Sequence, residues 1–142
     1  MKTVVKAFSE MTAAETLAVL AARETVFVRE QNWPHVEVDE RDPDALHLWI
    51  EEDAILAYAR VYLLSPGVAG IGRVLTLRRG AGLGRAIVLA AEEATRSRLG
   101  ARKIALDFQL TVRPFYAALG YAVASDPFDE LGVPHLRMEK AL

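Results

Sequence analysis

The chain has 142 residues and a mass of 15.6 kDa, which suits one domain at the usual allowance of ~150 residues and buries roughly two-thirds of the unfolded surface. At 52% hydrophobic and 25% charged residues it lies far from disordered or collagen-like chains, and its longest charge-free stretches, 61–72 and 114–125, contain Pro or Gly and fall short of the ~20 apolar residues of a membrane span. A net charge of −2 offers no general attraction to nucleic acid or to an anionic membrane, and the absence of cysteine excludes disulfides, thiolate metal sites and an acyl group carried on a protein sulfur.

At the N-terminus, Thr3 to Phe8 alternates as a short strand, and Ser9 is placed to cap a helix expected from Thr12 to Val28 on Ala13, Leu17, Leu20, Ala21 and Val28. Lys6, Ser9 and Glu10 interrupt the apolar start, so no signal peptide is expected and the reading is a soluble cytoplasmic protein. A polar loop from Arg29 to Asp44 follows, long enough to suggest a functional loop, with the acidic cluster Glu37 to Asp44 read as a solvated face. Ala45 to Glu51, Ala54 to Leu64 and Gly70 to Leu77 read as strands, broken by the turns Glu51-Glu52-Asp53 and Ser65-Pro66-Gly67. After a glycine-rich turn the run from Ala86 to Leu99 is helical, with Gly100 as its C-terminal cap. Lys103 to Phe108 is a buried strand and Val112 to Leu119 a short helix ended by Gly120. Tyr121 to Ala124 and His135 to Lys140 are the last strands, joined by a turn-rich segment over 125–130. This order implies one domain over residues 1–142, of the α+β (mixed α/β) class, with a single mixed sheet and helices on both faces.

Charge is unevenly placed. Residues 1–53 hold five basic and twelve acidic side chains, whereas 54–91 hold Arg60, Arg73, Arg78, Arg79 and Arg85 and no acid. Inside that basic window Gly80, Gly82 and Gly84 stand between a strand and a helix. The first turn of a helix carries unpaired N–H donors and partial positive charge, and glycines admit close approach, so this segment suits a phosphate. A nucleoside-triphosphate loop would need Lys and a hydroxyl after Gly84, where Arg85 and Ala86 stand. A dinucleotide fingerprint would need a small residue at 85 and a place after the first strand.

The segment Arg79-Gly80-Ala81-Gly82-Leu83-Gly84 resembles the acyl-coenzyme A signature of the GNAT acetyltransferases, Arg or Gln, two residues, Gly, one residue, Gly or Ala. Farther along, Arg113-Pro114-Phe115-Tyr116-Ala117-Ala118-Leu119-Gly120-Tyr121 resembles that family's second motif, Phe-Tyr, three residues, Gly, aromatic. The likeness runs along nearly the whole chain and is strongest to the small bacterial ElaA-like branch, through Phe27-Val28-Arg29-Glu30-Gln31-Asn32, Ala57-Tyr58-Ala59-Arg60, Gly72-Arg73-Val74 and Gly132-Val133-Pro134-His135. The loop before Arg79 looks shorter than the family's usual one.

The resemblance implies the GNAT fold, a mostly antiparallel sheet of six to seven strands splayed between the fourth and fifth, with pantetheine held in the gap. It implies an enzyme that moves acetyl from acetyl-CoA to a primary amine of a small molecule or peptide by direct attack, as a monomer or homodimer, without metal. Backbone around Val74, Leu75, Thr76 and Leu77 would hold the pantetheine arm and the oxyanion, and Arg79, Gly80, Ala81, Gly82, Leu83, Gly84 and Arg85 the diphosphate. Tyr116 would stand beside the coenzyme sulfur, although Phe115 and Tyr116 could also simply pack a short helix.

A lysine-like ammonium costs about 4.6 kcal/mol to deprotonate at neutral pH, and Glu30, His47 and His135 are the candidates to take its proton. Arg60 and Arg73 sit inside apolar strands and must pair with carboxylates such as Asp107 or, alternatively, bind a carboxylate on the acceptor. A non-catalytic acyl-CoA-binding module is the alternative function, and only turnover separates it from an enzyme.

Overall fold

The computed structural model describes residues 1–32 and 36–142. Strand β1 (Lys2–Ala7) is followed by a single 3-10 turn over Phe8–Glu10 and by helix α1 (Ala13–Arg23). Ser9 lies in that turn and does not cap the helix. Thr12 does, its Oγ1 accepting the Glu15 N–H at 3.1 Å while Glu15 Oε1 accepts the Thr12 N–H at 2.8 Å. This reciprocal pair satisfies two donors where Ser9 would have served one. The helix also stops short of the expected Val28: Glu24–Glu30 winds more widely as a π-helix, the Gln31 N–H reaching the Val26 carbonyl five residues back at 3.0 Å. Thr25 helps to open the winding, since its hydroxyl donates to the Ala21 carbonyl at 2.9 Å.

Three antiparallel strands come next, β2 (Leu46–Glu51), β3 (Ile55–Ser65) and β4 (Val68–Thr76), then helix α2 (Leu83–Leu99) and strand β5 (Lys103–Gln109). A 3-10 turn over Leu110–Val112 leads into helix α3 (Arg113–Ala118), and strands β6 (Ala122–Val123), β7 (Phe128–Glu130) and β8 (Val133–Ala141) close the chain. β7 lies in the segment expected to be all turn. Leu131 and Gly132, both at positive φ, make a two-residue hairpin that folds it back onto β8. α2 opens at Leu83 rather than Ala86, because Gly82 at φ +71° turns the chain and the Leu83 side chain is buried beneath it.

The strands form one sheet in the order β1-β2-β3-β4-β5-β8-β6, with β7 paired to β8. Every pairing is antiparallel except β4 with β5, which run parallel and meet only at Val68 with Lys103 and Ala69 with Ile104. Beyond that point the two strands splay, as the resemblance implied. Alternation along the strands sends side chains to two cores. Leu48, Ala57, Ala59 and Val61 pack with Ile87, Val88 and Ala91 of α2, while Trp49, Tyr58 and Leu75 pack on the other face with Val19 and Ala22 of α1. Helices therefore cover both faces, and the gap between β4 and β5 opens between them.

Candidate active site

The splay leaves a cleft of about 890 Å³. One wall is β4 from Ile71 to Thr76, the other is β5 from Leu106 to Gln109 with Val112, Phe115 and Tyr116, and Phe27, Gln31, Arg79, Glu130 and His135 stand around it. The wide winding after α1 brings Phe27 and Gln31 to this edge.

β4 carries a bulge where Arg73 and Val74 together oppose Ala59, between the pairs Tyr58 with Leu75 and Arg60 with Gly72. Arg73 takes up the extra length at φ +52°. The bulge divides the expected backbone donors. Leu77 is not one of them, because its N–H donates to the Leu56 carbonyl at 2.7 Å. Alternation then turns the Thr76 N–H away from β3 and toward the gap. Val74 and Thr76 line the cleft, whereas Leu75 is buried in the α1-side core.

Arg79 borders the cleft, and the glycines after it turn into the start of α2. A Cβ on Gly80 or Gly82 would meet nothing, and both residues hold positive φ. Gly82 offers no side-chain cap and the first turn contains no acid, so the amides of Leu83, Gly84 and Arg85 lack the usual protein acceptor. Arg85 is exposed beside them. Gly84 is held differently, since a Cβ there would touch the Phe115 ring at 3.4 Å, which locks the start of α2 against α3.

Tyr116 sits on the β5 side. Its ring packs against Phe108, Phe115 and Tyr121 with centroids at 4.6, 4.9 and 5.6 Å. Burial pushes its phenol up to about 12. It is protonated at neutral pH, so its hydroxyl is available to donate a hydrogen bond.

His135, on β8, borders the cleft as well. Its Nδ1 lies 2.9 Å from the Val133 carbonyl, which fixes the proton on that nitrogen, and its Nε2 lies 3.5 Å from a Glu130 carboxylate oxygen. Glu30 stands outside the lining and meets Arg79 in an exposed pair at 3.4 Å. The third candidate base, His47, lies outside the cleft lining, on the α1 side of the sheet beside Tyr58. Its Nε2–H donates to the Asp42 carbonyl at 2.9 Å and its Nδ1 accepts from the Tyr58 hydroxyl at 2.6 Å. Burial lowers its pKa, and it is removed from the list of bases.

The two strand arginines do not meet Asp107, which pairs with Arg137 at 2.8 and 3.1 Å. Arg60 forks onto Asp39 at 2.6 and 2.8 Å and reaches Asp42 at 3.0 Å. It is buried and does not border the cleft. Arg73 lines the cleft but also grips the loop, through the Val36 and Glu37 carbonyls at 3.1 Å and the Glu37 carboxylate at 3.3 Å. Arg23 completes the set at 2.7 Å from both Glu37 and Asp42. Within the acidic cluster Glu37, Asp39 and Asp42 are therefore no solvated face: three arginines from α1, β3 and β4 neutralise them, because Asp42 is buried at 8% exposure and must be paired, whereas Glu40 and Asp44 are exposed as expected. Residues 33–35 of the loop expected to be functional lie outside the described residues.

Sequence reasoning did not single out Arg23 or Glu130, and it named Phe27 and Gln31 only within the ElaA-like segment, without a place at the site. Arg23 had a signal, since with Val19, Ala22 and Val26 it falls on the buried stripe of α1 and its continuation. Glu130 had none, because it reaches the cleft through the β7–β8 hairpin.

Comparison with known proteins agrees with this geometry. Residues 15–142 match the family described as the acetyltransferase (GNAT) domain. The chain is 35% identical over 122 residues to an uncharacterized N-acetyltransferase, YjcF, of Bacillus subtilis, covering 83% of this chain and 86% of that protein. It is 29% identical to ElaA of Escherichia coli, covering 93% and 91%. Among solved structures, an acyl-CoA N-acyltransferase from Pseudomonas aeruginosa superposes at a TM-score of 0.89 with 32% identity over 99% of each chain. Escherichia coli ElaA superposes at 0.88 with 27% identity over 98% of each.

Proposed function

The chain belongs to the GNAT acetyltransferase family, and from that premise we propose that it transfers an acetyl group from acetyl-CoA to a primary amine by direct attack in a ternary complex. One observation carries the reading: the open edge of β4, Arg79 on the approach to the uncapped start of α2, and a protonated phenol border a single cleft. The chain fits the donor. The Thr76 amide points into the gap and suits a pantetheine amide or thioester carbonyl, while the amides of the first α2 turn, with Arg79 and Arg85 nearby, suit a diphosphate. Acetyl-CoA brings the activated acyl group itself, so no protein nucleophile is needed, in keeping with a chain that has no cysteine.

Tyr116 donates to the departing sulfur. With the phenol near 12 and a thiol near ~8.5, full proton transfer runs uphill by about 5 kcal/mol, so the phenol acts as a hydrogen-bond donor to the thiolate and not as its proton source. The amine proton goes to His135, whose Nδ1 is held by the Val133 carbonyl, or by way of water to Glu30 at the mouth. Of the two strand arginines Arg73 is the one that lines the cleft and that an acceptor carboxylate would meet, whereas Arg60 is enclosed by Asp39 and Asp42.

The test is release of free thiol from acetyl-CoA across a panel of amines. Turnover is expected with at least one primary amine, and Tyr116→Phe should lower kcat about tenfold or more while the KM for acetyl-CoA stays within about twofold. Coenzyme binding without thiol release from any amine would instead identify a non-catalytic acyl-CoA-binding module. Unchanged turnover in Tyr116→Phe would remove this residue from the chemistry.

A further inference from the structure

Helix α3, which presents Tyr116, has six residues. A helix so short does not hold itself together in water, so something outside it must fix the phenol. Its C-terminal end is clasped. The Tyr116 carbonyl accepts from the amides of Leu119 at 3.0 Å and Tyr121 at 3.1 Å, and the Leu119 carbonyl accepts from Lys140 Nζ at 2.8 Å. Lys140 also donates to both carboxylate oxygens of Glu92, at 3.0 and 3.1 Å, and Glu92 accepts the Tyr121 hydroxyl at 2.9 Å.

These three side chains come from α2, β8 and the turn after α3, and none has an assigned role. Glu92 is only 2% exposed, on a helix whose neighbouring buried positions are Val88, Ala91 and Thr95. A carboxylate buried there costs stability unless it is paired, and here it is paired twice. Burial first, and then the Glu92 charge, raise the pKa of Tyr121 and keep its hydroxyl a donor. The Tyr121 ring meets Tyr116 edge to face at 5.6 Å and 80°. Glu92 therefore fixes the ring against which the phenol leans, while Lys140 fixes the backbone beneath it.

We propose that the buried Glu92 and Tyr121, with the half-buried Lys140, form a positioning triad that holds Tyr116 at the cleft in the orientation turnover requires. None of the three needs to touch substrate. That Tyr116 meets the leaving sulfur rests on the function proposed above, and the triad's hold on its ring does not.

Tyr121→Phe is the mildest probe, since it removes one hydroxyl and leaves Glu92 paired with Lys140. With 3-fluorotyrosine placed at position 116, its fluorine resonance should shift and broaden in the Tyr121→Phe protein, and in Glu92→Gln if that variant folds. In unlabelled protein Tyr121→Phe should lower kcat about fivefold, with the KM for acetyl-CoA within twofold of the parent, and should add less than twofold when Tyr116 is already Phe. An unmoved fluorine line overturns the triad, as does a kcat unchanged in Tyr121→Phe when Tyr116→Phe is impaired, or a loss of equal size in both backgrounds. If Tyr116→Phe itself turns over normally, the role of Tyr116 falls and the fluorine line alone decides the triad: movement upholds it.

Discussion

Tyr116 illustrates how one side chain's environment selects among the roles its chemistry allows. A phenol in water ionises near ~10, and burial among Phe108, Phe115 and Tyr121 moves this one to about 12. Its donor form therefore still predominates at the pH of ~10.4 where a lysine-like amine is half deprotonated. The absorbance titration of wild-type protein minus that of Tyr116→Phe should show no phenolate signal below about pH 11, and ionisation near ~10 would contradict the packing described. His47 has been given the opposite fate by similar means. Its Nε2–H is committed to the Asp42 carbonyl and its Nδ1 is occupied by the Tyr58 hydroxyl at 2.6 Å, so neither nitrogen is open to an acceptor's proton and the ring is structural. Both residues are polar groups on otherwise apolar elements. Only the cleft at one and the saturated partners at the other tell them apart.

At the scale of elements, the segment 36–44 is held by Arg23, Arg60 and Arg73, and its stability should follow the charge on Asp42. Burial opposes that charge, but hydrogen bonds from Arg23 and the Asp39 amide lower the carboxyl from 3.8 to about 2. The folded pKa lies below the unfolded one, so the unfolded chain binds the proton more readily and stability is lost as pH falls from ~4 to ~2. The loss from this group is on the order of 2 kcal/mol, and the lowered pKa of His47 adds a loss of the same sign once pH drops below ~6.5. Urea denaturation should show the drop between pH 4 and 2 in the wild type. Asp42→Asn should start less stable at pH 7 and show a smaller drop, what remains coming from Asp39 and Glu15, whose carboxyls are also held low by their partners; an identical pH profile in the two proteins would mean that the Asp42 carboxylate is not ionised in the folded state. This network also marks the limit of what the sequence made legible. Strands β2 to β4, helix α2 and the glycine turn were read to within a few residues, because apolar runs, Gly100 and Gly80-x-Gly82 are local signals. The partners of the acidic cluster lie between 14 and 36 positions away along the chain, and no local pattern assigns Asp39 to Arg60 or Glu37 to Arg23. The π-winding at Glu24–Glu30 and strand β7 were missed for a related reason, since both are set by the packing and pairing around them.

Across the whole molecule the sheet is close to being two pieces. β1 to β4 form one, β5 to β8 the other, and the direct ladder between them is two parallel pairs at Val68 and Ala69. What joins them otherwise is α2, whose Ile87, Val88 and Ala91 belong to the same core as Ala59 of β3 and Ile104 of β5. The open edge of β4 beyond Ala69 leaves backbone groups facing the cleft without a strand partner, a state that sheets normally avoid by covering the edge. A donor lying along that edge would replace the missing strand and tie both halves to the start of α2. Binding to the folded state alone at one hundred times Kd contributes about 2.7 kcal/mol, which for a chain of 142 residues raises Tm by about 5–10 °C. The Thr76 amide should at the same time become slow to exchange with deuterium, while the Leu77 amide, already bonded to the Leu56 carbonyl, should change little. Gly82→Ala places a Cβ at φ +71° beside the first-turn amides, at a strain of about 1 kcal/mol, and should sharply reduce the coenzyme-induced rise in Tm while leaving the cores intact. A full rise in that variant, or a Thr76 amide whose exchange ignores saturating acetyl-CoA, would show that the coenzyme does not lie along the open edge of β4.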